Sequence, residues 1–100
     1  MLTNKQYIYE KIQQRRLQML VHSYIYYVLG ENIVPDYKWS SWAINLAQLQ
    51  EIHPDIAESV CYADAFKDWD GSTGAFLPLD DPWIENKAIY LLKQHGVSIV

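Results

Sequence analysis

Residues 17–28, "LQMLVHSYIYYV", place apolar or aromatic side chains on nearly every side of a helix: Leu17, Leu20, Val21, Tyr24, Ile25, Tyr27 and Val28. A helix that is apolar all round cannot lie on the surface of a small domain, so other elements must cover it. The residues before it are mostly polar, with Ile8 and Ile12 on one stripe, and Thr3 with Gln6 has the form of a capping box. One helix is therefore expected from Thr3 to Leu29, stopped by Gly30. It should be the centre around which the rest of the chain packs.

The remaining periodicities are helical too. Asp36 suits the N-cap of a second helix reaching about Ile52, with Trp39, Trp42, Ala43, Leu46 and Leu49 on its buried stripe. Pro54 blocks its continuation. A third helix is expected over 55–66, with Ile56, Val60, Ala63 and Phe66 in register. Residues 68–80, "DWDGSTGAFLPLD", read as a loop from their two Gly, one Pro and Asp-Gly turn chemistry. Asp81-Pro82 opens a last helix, closed by Gly96 after Lys93 and His95. The tail "VSIV" fits either a short strand or a packed extension. No strand pairs are visible, so the expected fold is all-α: one domain over 1–100, made of a hairpin (17–55) and a helical extension (56–100) with an acidic, aromatic loop.

Composition sets outer bounds. Half of the 100 residues are apolar or aromatic, with four Trp and eight Tyr, which is enough for a core and argues against disorder. The apolar runs are shorter than the roughly 20 residues of a membrane span, and the start lacks a signal-peptide pattern, so a soluble cytoplasmic protein is expected. The lone Cys61 has no partner to pair with and is expected to be a small buried hydrophobe. The net charge of −4 is unevenly spread: +3 over residues 1–30 and −8 over residues 51–85. The acidic half would repel phosphates and suits a basic protein partner, so direct nucleic-acid binding is not expected. Lys11, Arg15 and Arg16 are expected on the exposed side of the first helix.

"SYIYYVLGENIVPDYKW" (23–39) followed by "LAQLQEIHPD" (46–55) resembles the N-terminal Ia domain of bacterial NAD+-dependent DNA ligases. The likeness runs without a gap from about Leu17 to Asp55, two-fifths of the chain. It consists of an aromatic-rich helix, a turn acid, a Leu-spaced second helix and a His-Pro-acid terminator. In that family the hairpin is a lid over the nicotinamide half of NAD+, with aromatic rings on the cationic pyridinium and carboxylates on the ribose hydroxyls. The resemblance puts Tyr26 at a nicotinamide-contacting Tyr and Asp36 at the first turn acid. The family's next His is Tyr27 here, its later Tyr is Trp39, and its final Asp is Ser40, where a charge is lost. The resemblance thus implies NAD+ or nicotinamide mononucleotide as ligand, or a role as an accessory of a DNA ligase. It does not carry over catalysis. The adenylation motif K-x-D-G is approached only by Lys67-Asp68-Trp69-Asp70-Gly71, one residue too long, and a nucleotidyltransferase domain is not expected within these 100 residues.

Other chemistries fall away. An EF-hand register placing Asp70 at loop position five puts Phe66 at one and Leu77 at twelve. His22, His53 and His95 lie on separate elements without metal-ligand spacing and read as surface or capping residues. The acidic loop offers a different kind of site. Asp68, Asp70, Asp80 and Asp81 surround Trp69 and Phe76, as charge rims an aromatic anchor at protein interfaces. Trp83 reads as part of a satellite core under this loop, and Trp69 fits either role. The leading expectation is a small non-catalytic module that engages a basic protein partner. A free-standing piece of a replication enzyme is associated with phages and mobile elements, where such a module could inhibit a host nucleic-acid-handling enzyme as acidic anti-CRISPR proteins do. The alternative is the nicotinamide-nucleotide lid.

Overall fold

The computed structural model describes residues 3–95, all of them in helices, turns and loops without a β-strand. Helix α1 spans Asn4–Tyr27, α2 Asp36–Ile52, α3 Pro54–Ser59, α4 Ala63–Phe66 and α5 Pro82–Gln94. The fold is all-α. Gly96 and the "VSIV" tail lie outside the described residues. At about 1.5 Å per residue the 24-residue α1 is about 36 Å long, most of the 42 Å longest dimension.

Thr3 caps α1 as its sequence suggests. Its hydroxyl accepts from the Gln6 N–H at 3.1 Å, and the Gln6 side chain accepts from the Thr3 N–H at 2.9 Å. Three helices pack against α1: α2, α5 and the short α3. Ile12, Met19, Leu20, Val21, Tyr24 and Ile25 of α1 are buried, together with Ala43 and Leu46 of α2 and Ile84, Ala88 and Leu92 of α5. The cover stops at the C-terminal end of α1, where Tyr26, Tyr27 and Val28 are exposed. There the chain turns through Gly30 at φ +68, a left-handed conformation that favours glycine.

Several expectations are corrected. The N-cap of α2 is Pro35, which has no side chain able to cap, and Asp36 is the first helical residue. The expected helix over 55–66 is two short helices. Val60 is extended (ψ 147) and Tyr62 is left-handed (φ 66), so the chain breaks between α3 and α4. Arg16, expected on the exposed side of α1, is buried in that break. Its guanidinium donates to the carbonyls of Ala57 at 2.9 Å, Val60 at 3.0 Å and Cys61 at 3.1 Å, and to the side chain of Gln50 at 3.0 Å. Carbonyls that would continue a helix are thereby satisfied by one side chain. Arg15 is half-buried as well, tied to Asn45 of α2 at 2.9 Å. Cys61 is exposed rather than buried, because its segment turns outward at the break.

The loop between α4 and α5 is pinned to the hairpin. Trp69 is buried and donates its indole N–H to the Ala43 carbonyl at 2.9 Å. Gly71 (φ +86) passes so close that a Cβ would stand 3.1 Å from the same carbonyl, and a Cβ on Gly74 would collide with the Ser23 hydroxyl. Asp81 caps α5 by accepting from the Trp83 N–H at 2.9 Å, and its other oxygen accepts from the Tyr62 hydroxyl at 3.1 Å.

Candidate functional site

At the open end of the hairpin lies a cavity of about 310 Å³, at the small end of the range of ligand-binding pockets. It forms because α1 stops at Tyr27, the chain swings out through Gly30, and α2 begins at Asp36. The Glu31 N–H reaches back to the Ile25 carbonyl at 3.0 Å, which fixes the turn against α1. Ile25, Ile33 and Val34 contribute apolar surface to its lining.

All five positions singled out by the resemblance, Tyr26, Tyr27, Asp36, Trp39 and Ser40, line this one cavity. The two tyrosine rings meet edge-on at 4.9 Å, and the Tyr27 hydroxyl is 3.0 Å from that of Thr73 in the loop. Trp39 is backed by the buried Trp69, with ring centroids 6.3 Å apart, so its orientation is held from behind. Asp36 sits in the first turn of α2, where the positive end of the helix favours a carboxylate.

Four further residues complete the lining: His22, Glu31, Asn32 and Ser72. His22 is half-buried with its ring 5.2 Å from Trp42. Burial, and secondarily the nearby His95, lowers its pKa below the ordinary value, so it is a neutral imidazole at pH 7. Its place was legible in principle, because it stands one helical turn before Tyr26. Glu31 brings a second carboxylate next to the turn glycine. Ser72 comes from the loop, which no local signal connects to the hairpin. Its N–H and hydroxyl donate to Asp70 at 2.9 and 2.6 Å, and these bonds hold the Asp70 carboxyl below its ordinary pKa.

The acidic loop is arranged differently from its expectation. Asp68, Asp70 and Asp80 are exposed, as is Phe76, whose ring lies 6.0 Å from Trp69. Trp69 is a core residue and cannot anchor a partner, since its indole is buried against α2. Asp81 is half-buried in its capping role. Trp83 is 42% exposed with the Lys87 ammonium over its ring, so it forms no satellite core. His53 joins α2 to α3 as a cap residue of both, and His95 caps α5. Among the described residues no three His, Cys, Asp or Glu side chains are grouped to hold a metal, and no helix is long and apolar enough to cross a membrane.

Comparison with protein-family models, with curated proteins and with solved structures returns no match.

Proposed function

We propose that the chain is a non-catalytic binding module whose hairpin cavity takes the nicotinamide half of NAD+ or nicotinamide mononucleotide. The observation that supports this reading is the convergence of Tyr26, Tyr27, Asp36, Trp39 and Ser40 on one cavity. Aromatic faces beside carboxylates suit a ring that is flat and cationic. α2 starts after Pro35 without a side-chain cap, so the Asp36 carboxylate is not spent on capping and stands in the cavity wall as an acceptor for a ligand. Glu31 offsets the acid missing at Ser40.

Calorimetric titration with nicotinamide mononucleotide tests it. Binding is expected, and Asp36→Asn and Trp39→Ala should each weaken it about tenfold, the scale of one charge-assisted hydrogen bond. Absence of heat at millimolar concentration from both nicotinamide mononucleotide and its phosphate-free riboside removes the reading.

A second reading, engagement of a basic protein partner by the acidic loop, is favoured by Phe76, which is 54% exposed between exposed acids. In that reading the partner is a nucleic-acid-handling enzyme whose phosphate-binding surface meets Asp68, Asp70 and Asp80. Charge reversal at those three positions should abolish its capture, and unchanged capture counts against this reading.

A further inference from the structure

We infer that the hairpin cavity selects a phosphate-free pyridinium nucleoside over its phosphorylated forms, with Glu31 as the residue that sets this preference; the inference rests on the nicotinamide reading above and narrows its ligand class. Among the described residues the lining holds two carboxylates, Glu31 and Asp36, and neither Lys nor Arg. Its one basic side chain, His22, is kept neutral at pH 7 by burial. Lys38 lies between Asp36 and Trp39 in the first turn of α2, yet its ammonium lies over the Trp42 ring at 5.8 Å and is outside the lining. The hydroxyl of Ser72 already gives its proton to Asp70, so toward a ligand it acts as an acceptor.

The wall therefore carries two negative charges and no Lys or Arg, its Asn32 amide and its Tyr26 and Ser40 hydroxyls being neutral. A pyridinium ring and ribose hydroxyls match it. A phosphate does not, because a phosphomonoester carries about −1.5 to −2 charges at pH 7. The N-terminal end of α2 offers about half a positive charge, but Asp36 already stands on it. Repulsion between exposed charges acts over about 8–10 Å at ordinary salt, so carboxylates that line a cavity of about 310 Å³ act on a phosphate carried by its ligand.

The test compares nicotinamide riboside with nicotinamide mononucleotide by calorimetry or Trp fluorescence on the full chain, at about 20 mM and about 150 mM salt. The riboside should bind about tenfold tighter at low salt, and the ratio should shrink at the higher salt as screening weakens the repulsion. Glu31→Gln preserves shape at an exposed position and should lower the ratio by about threefold, chiefly by improving mononucleotide binding. Equal or tighter binding of the mononucleotide overturns the inference while leaving the nicotinamide reading intact. So does a ratio unmoved by Glu31→Gln. Heat from neither ligand removes the nicotinamide reading itself.

Discussion

At the scale of single residues, Arg16 shows how a charge can organise a fold from inside. It has no carboxylate partner among its hydrogen bonds; three carbonyls and Gln50 surround it, and the Phe66 ring lies 5.7 Å from the guanidinium carbon. Burial lowers its pKa, but a guanidinium stays charged at any pH at which the protein folds. Replacing it leaves several buried acceptors without donors, so Arg16→Ala should cost about 3–5 kcal/mol in urea unfolding. Arg16→Lys should recover only part of this, because an ammonium cannot span the four acceptors. Arg16 was misread in the sequence because it neighbours Lys11 and Arg15, and nothing local shows that its acceptors lie 34 to 45 residues away. His22 gives a second outcome at this scale. Its folded-state pKa is depressed below 6.5, so as pH falls through 6.5 the unfolded chain takes up the proton first. Stability should therefore decline on acidification from about pH 7 and level off below the folded value. Asp70 acts lower, contributing stability above its ordinary 3.8 that is lost as pH falls through its depressed folded value. His22→Gln should flatten the upper step in a series of thermal melts while leaving the lower one.

At the scale of elements, the hairpin was legible and the loop was not. Alternating capping, periodic and breaking residues define α1 and α2 to within two residues, because those signals are local. The break between α3 and α4 has no Gly or Pro to announce it; Tyr62 adopts φ 66 because Arg16 and Asp81 hold the carbonyls and the hydroxyl around it. Composition marks 68–80 as a loop with an acidic, aromatic surface, yet its position depends on two close approaches of Gly71 and Gly74 to the hairpin. Gly74→Ala should destabilise the protein by about 1–3 kcal/mol, because the added methyl meets the buried Ser23 hydroxyl. Gly30→Ala is a useful contrast. A Cβ there meets nothing within 4 Å, so only the left-handed backbone resists it, at about 1 kcal/mol. Thermal unfolding of the two variants separates packing from backbone strain. The loop variant should also loosen Ser72, which lines the cavity, and Thr73, which meets the Tyr27 hydroxyl, whereas Gly30→Ala acts on the turn alone.

At the scale of the molecule, the all-round apolar surface of α1 joins the candidate site to the rest of the chain. The sequence made α1 central because too many of its faces are apolar, and the structure assigns α2, α3 and α5 to cover them. Five of the hairpin's cavity-lining residues were singled out by the family resemblance, but the elements that hold them in place come from the far half of the chain. Trp69 stands behind Trp39, Thr73 meets Tyr27, and Ser72 lines the cavity. A fragment ending at residue 66 retains nearly every lining residue, and on sequence resemblance alone it would be expected to suffice. It loses Trp69, Leu77, Ile84, Ala88 and Leu92 from the core. The four large side chains alone contribute about 1.5–3 kcal/mol each, about 6–12 kcal/mol together, comparable to the about 5–15 kcal/mol that stabilises a typical domain. The fragment should therefore keep helical far-ultraviolet dichroism but lose cooperative unfolding and bind the dye ANS, as loosely packed helical states do. Sharp, cooperative melting of the 1–66 fragment would show that the hairpin stands on its own, and that the acidic loop and α5 are an addition to the site rather than its scaffold.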